Sequence, residues 1–180
     1  HANWKLIMDS MLDSYHVARL HKDSLSQFTV DSENKIDRIG PHIRNAAHRD
    51  NFEKGKISSV FSDMRKMMVF SYVTFPNGII IVSPHYLSVG VVRPITHEYT
   101  EVDYYQLYNS PPRDERIAAK MREAFDLMER VFAQEDYWAA EQCHRGLASG
   151  HVNTVHLGGM EVQVKMFQDE VIAALGSLQR

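Results

Sequence analysis

Apolar positions repeat with two different periods along this 180-residue chain, and the change between them divides it. Between 67 and 108 they fall into short runs rich in β-branched and aromatic residues, each closed by turn formers. Residues 67–75 end at Pro76, Asn77 and Gly78, a hairpin signal. Residues 79–83 form an apolar run closed by Pro84 and His85, and 86–93 stop at Pro94. From 99 to 108 the alternation is clean: Thr100, Val102 and Tyr104 share one face, and Glu101, Asp103 and Tyr105 the other. Links this short predict an antiparallel meander. Beyond it the period lengthens. Ser110 is expected to cap, Pro111 and Pro112 to open, and Asp114 and Glu115 to fill the first turn of a long helix. Its stripe runs Ile117, Met121, Phe125, Met128, Phe132, and the next position on it is Asp136. A last helix carries Val164, Phe167, Val171, Leu175 and Leu178 and is expected to cover the sheet.

The part before the sheet reads less clearly. Residues 3–8 suggest a short strand feeding a helix on which Met8, Leu12 and His16 recur at four-residue steps. From 22 to 56 the pattern dissolves into polar residues, broken at Gly40 and Pro41, with His42 and His48 read as exposed loop histidines. Strands in series followed by long helices give an α+β fold.

Composition narrows the function without naming it. The length suits a single domain, residues 1–180, with a full core. A net charge of −3 leaves no basic footprint for nucleic acid or an anionic membrane surface. No apolar run approaches the ~18 residues of a membrane-spanning helix. The start of the chain has neither the basic nor the apolar region of a secretory signal. Cys143 is the single cysteine, so no intrachain disulfide forms and a reducing, cytoplasmic setting is expected. Cys143 itself reads as a buried small hydrophobe.

Candidate chemistry gathers at two places. Asp13 and His16 are three positions apart and share a helix face, with His21 five residues further on. A five-residue step turns a regular helix about 140° past the first imidazole, so both rings reach one ion only if the helix ends between them. Two readings stand: a metal site, or an amphipathic helix whose histidines happen to lie close. The second place is Asp136. A carboxylate on a buried stripe is costly unless paired, protonated or metal-bound. The alternative is a helix that frays first and leaves Asp136 solvated beside Glu135.

Asn3, Trp4 and Lys5, the acidic Asp9, and Asp13, Tyr15, His16 and His21 in this spacing resemble the iron-binding signature of Rieske-type aromatic-ring-hydroxylating oxygenases, in the catalytic domain of the alpha subunit. A second stretch fits the same family: Glu135 and Asp136, then Glu141, then Arg145, Gly146 and Leu147. One position departs, since the family usually has Asn where this chain has Ser10, which is expected to alter hydrogen bonding near the iron without touching the ligands.

The resemblance implies a helix-grip (Bet v 1/START-like) fold, a curved antiparallel sheet around a long helix. It implies mononuclear non-haem Fe(II) on His16, His21 and Asp136, a facial triad with positions open for dioxygen. Asp13 would orient a ligand histidine and carry the electron link toward a neighbouring subunit. A Rieske [2Fe-2S] cluster needs two thiolates, so one cysteine cannot hold it, and the cluster is expected on another domain or subunit. The chain thus reads as the catalytic part of a larger subunit or a truncated homologue. It would act on an aromatic substrate and dioxygen, served by a ferredoxin and reductase, in a homotrimer or mixed oligomer. In that family the segment after His21 wraps the active-site entrance. Met64, Met67, Met68, Phe70 and Tyr72 are candidates for lining the pocket, most of them more simply read as core. Two other classes use the same residues: a binding module for a hydrophobic small molecule without redox activity, and a zinc hydrolase on the same triad.

Overall fold

A computed structural model describes residues 1–26, 34–49, 64 and 67–178. Six strands follow one another in a single antiparallel sheet, each hydrogen-bonded to the next in sequence. They are β1 (Lys35–Ile39), β2 (His42–His48), β3 (Met68–Thr74), β4 (Gly78–Val82), β5 (Leu87–Pro94) and β6 (Thr100–Leu107). The meander from β3 to β6 matches the alternation in the sequence. β1 and β2 correct the expected loop. Their polar sequence is held by pairing instead of periodicity: Arg44 donates to Asp37 across the two strands, and Arg38 reaches Glu170 on the last helix. Gly40 (φ 61) and Pro41 make the tight turn between them, a backbone conformation that glycine takes without a Cβ penalty. His42 and His48 are therefore half-buried strand residues, not loop residues, and His42 accepts the Phe75 N–H through Nδ1.

Two short helices precede the sheet, α1 (Trp4–Ser10) and α2 (Tyr15–Leu20). The strand expected at 3–8 is helix. Asn3 caps it by accepting the Lys5 N–H, and Trp4, Ile7, Met8 and Met11 stand at helical, not alternating, spacing. After the sheet come α3 (Glu115–Val131), a π-turn at Phe132–Asp136, α4 (Tyr137–Ala148) and α5 (Val162–Leu178). The α3 cap is Asp114, which accepts the Ile117 N–H at 2.8 Å, so the prolines lie ahead of the helix and Ser110 does not cap it.

One face of the sheet meets the helices. Ile43, Val73, Ile79 and Val92 pack there with Ile7, Met8 and Leu12 from the start of the chain and Val164 and Phe167 from α5. Phe167 is fully buried, edge-on to Trp4 and Phe75 with ring centroids 5.9 and 6.0 Å apart. The far half of α5 departs from expectation: Leu175 and Leu178 are exposed. Cys143 is exposed as well, against its reading as a buried residue. No described helix is long and apolar enough to cross a membrane.

Candidate metal centre

The helix that starts at Tyr15 stops at Leu20, and His21 stands at its end with non-helical φ −94 and ψ 23. That break removes the angular mismatch of a five-residue step. The His16 and His21 rings lie 4.9 Å apart, nearly perpendicular at 77°. Asp136 arrives from the opposite side at the end of the π-turn. The turn closes one residue later than an α-turn, with the Tyr137 N–H donating to the Phe132 carbonyl. It keeps the carboxylate on the buried face.

The three side chains converge. His16 Nε2 is 3.4 Å and His21 Nε2 3.3 Å from Asp136 Oδ1. One ligating atom from each residue falls within 4.8 Å of the others, the only such group of three His, Cys, Asp or Glu side chains among the described residues. Asp136 is 1% exposed, and its Oδ1 accepts no hydrogen bond. A buried anionic oxygen left open between two imidazole nitrogens suits a divalent transition ion.

The outer nitrogens are each held. His16 Nδ1 is 2.7 Å from the Asp13 carbonyl, with the Asp13 carboxylate further off at 3.8 Å. That carboxylate instead accepts the Tyr15 N–H at 2.8 Å. Burial raises the Asp13 pKa, but hydrogen bonds with His16 and the Tyr15 N–H outweigh it and hold the carboxyl below its ordinary value. The expected orienting contact of Asp13 is thus made by its backbone. His21 Nδ1 lies 2.6 Å from Glu135 Oε2, which also accepts the Ser24 hydroxyl at 2.8 Å. Burial opposes protonation of His21, yet Asp136 and Glu135 together raise its pKa. Glu135 stood in the sequence only as half of an acidic pair; its adjacency to Asp136 was the signal available for this role. Ser10, the departing position, bonds the Ile7 carbonyl in its own helix. Asp9 accepts both hydrogen bonds it makes to Gln168, at 2.8 and 2.9 Å, and burial lifts its pKa to about 6.

The triad opens onto a cavity of about 650 Å³ among the described residues. Val69, Val73, Ile79, Ile81 and Leu127 make its apolar walls, with Asn45, Ser71 and Arg49 set among them. Tyr72 borders it, whereas Met68 and Phe70 alternate with Val69 and Ser71 onto the other face of β3.

The family model for the ring hydroxylating alpha subunit (catalytic domain) matches residues 1–177. The chain belongs to that family. Solved structures support the fold. The quaternary ammonium Rieske monooxygenase CntA, in complex with an inhibitor, superposes with TM-score 0.73 at 16% identity, over 94% of this chain and 45% of its own. CntA in complex with L-carnitine gives TM-score 0.66 at 20% identity, over 94% and 44%. Dicamba monooxygenase bound to 3,6-dichlorosalicylic acid gives 0.66 at 15%, over 99% and 57%. The chain therefore spans about half the length of these proteins. Against curated protein sequences there is no significant match. The described elements form the α+β architecture of a Rieske oxygenase catalytic domain, and the family is one of oxygenases.

Proposed function

We propose that residues 1–180 are a single catalytic domain of a ring-hydroxylating oxygenase, in which His16, His21 and Asp136 hold one ferrous ion. The carrying observation is the buried, unpartnered Asp136 Oδ1 facing two imidazole Nε2 atoms. Bound there, a ferrous ion would supply the redox chemistry with dioxygen that hydroxylation of an aromatic substrate requires, with electrons delivered from elsewhere. The chain's own groups do the rest. The Asp13 carbonyl and the Glu135 carboxylate take the outer Nδ1–H protons and leave both Nε2 lone pairs free. The apolar walls keep water away from a substrate ring beside the triad.

Electrons would come from a Rieske [2Fe-2S] cluster on another domain or subunit, fed by a ferredoxin and reductase, in a homotrimer or mixed oligomer in the cytoplasm. Asp13, partly exposed beside His16, would link the centre to that donor. Metal analysis tests the reading. Anaerobically purified chain takes up about one ferrous ion at such a triad, and Asp136→Ala loses it. Preference for zinc, unchanged by exposure to air, would favour the hydrolase; ligand binding indifferent to metal removal would favour the binding module.

A further inference from the structure

The cavity wall carries two polar groups that the triad does not use. Asn45 lines it from β2 and Arg49 from the residue just past the end of that strand. They are four residues apart, and the Arg49 N–H continues the pairing by donating to the Met67 carbonyl, so both fall on one face with Cα atoms about 13 Å apart. Asn45 Oδ1 is buried and accepts no hydrogen bond. It sits on a polar rung, since Asn45 pairs with Ser71 on β3. Arg49 is half-buried, and no described carboxylate lies within ion-pair distance of its guanidinium. Among the lining residues it is the one permanent cation; the acidic lining groups, Asp13 and Asp136, are both engaged around His16.

A buried acceptor without a donor, and a half-buried cation with no counter-ion among the described residues, are each groups that a ligand of matching chemistry would complete. Between them lies the Ala47–Val69 pair, with Ile81 next to Ser71, an apolar stretch fit for a ring. We propose that this cavity takes an aromatic acid, its carboxylate on Arg49, its ring on the Val69 and Ile81 wall, and a hydroxyl at the opposite end donating to Asn45. This rests on the reading of the cavity as the substrate chamber, and it narrows the substrate class to anionic aromatics. A guanidinium pairs with a carboxylate through two parallel N–H donors, which a neutral amide cannot match.

Titration calorimetry of the full chain with 4-hydroxyphenylacetate, phenylacetate and 4-hydroxyphenylacetamide tests it, with and without ferrous iron. The acid should bind roughly 10- to 100-fold tighter than its amide, as a charge-assisted hydrogen-bond pair implies. Arg49→Gln should abolish that preference while leaving amide affinity unchanged, which also shows that the variant folds; Arg49→Lys should restore part of it. Asn45→Leu should erase the advantage of 4-hydroxyphenylacetate over phenylacetate. Equal binding of acid and amide by the parent, no binding of any of the three, or equal weakening of both by Arg49→Gln would overturn the assignment. Its failure is separable from that of the oxygenase reading. Iron uptake without acid preference sinks this proposal alone, whereas acid preference in a chain that takes up no iron supports it and sinks the other.

Discussion

Asp136 Oδ1 is buried without a hydrogen-bond donor, which makes Asp136→Ala informative in two directions. The substitution should bind ferrous iron far more weakly, since it removes the one anionic ligand of the triad. Its effect on the melting temperature of metal-free protein should be small, because the attraction to His16 and His21 that alanine loses is offset by the burial of charge that alanine avoids. A metal-free variant much less stable than the parent would mean that Asp136 is structural. His16→Ala and His21→Ala should also lose iron. Asp13→Asn should keep it, because its backbone carbonyl, not its carboxylate, holds His16. Glu135→Ala should weaken metal binding about 10- to 100-fold, and Glu135→Gln less, because an amide oxygen still accepts from His21 Nδ1. Chelator competition against iron orders all of these.

Asp9 makes a separate test, by pH. Its folded pKa of about 6 lies above the ordinary 3.8 because burial disfavours the charge. Such a group favours the folded state fully below pH 4, and that contribution is lost as pH rises through about 6. The penalty at pH 8 is at most about 3 kcal/mol. Asp9→Asn should therefore raise stability to urea at pH 8 and leave it unchanged near pH 3.5. An equal effect at both values would place the cause elsewhere.

Among the elements, the departures from regular geometry matter most. A continuous helix from Tyr15 past His21 would point the two rings apart; its end at Leu20 turns His21 onto His16. The π-turn at Phe132–Asp136 lets one long helix present Asp136 to the site while Ala140 still packs into the core. α5 is anchored through its first half, where Phe167 fills the space between Trp4 and Phe75. Phe167→Ala should cost about 3–5 kcal/mol in denaturant unfolding, the range for a buried aromatic truncation. Ile172→Ala, in the exposed half, should cost under about 0.5 kcal/mol by the same measurement.

At the scale of the molecule, the sheet and helices bring together residues more than a hundred positions apart, and the single thiol stands exposed at Cys143. With one cysteine the chain holds no Rieske cluster, so iron-loaded chain with reductase and ferredoxin alone should show no sustained oxygen consumption coupled to aromatic hydroxylation. Peroxide, which brings both oxygen and reducing equivalents, should support a little product. Repeated turnover without peroxide would show an electron path that the oxygenase reading lacks.

The alternation from 67 to 108 and the stripe ending at Asp136 were legible because strand and helix periods are local properties of a half-buried chain. Asp13, His16 and His21 were legible as a dense cluster, and Asp136 as a carboxylate on an apolar stripe. Only the family resemblance joined His16, His21 and Asp136 into one set. β1 and β2 were not legible, since a polar hairpin is decided by its partners: Asp37 by Arg44, Arg38 by Glu170, and β2 by the edge of β3. The helix at 4–10 was missed through a misread period. Only the tertiary structure decided that Glu135 meets His21, because that depends on where one side chain ends relative to another across the fold. The Asp13 carbonyl on His16, by contrast, is set by the local turn into α2. Periodicity fixes which face a residue takes along its own element; what that face meets is set by packing between elements.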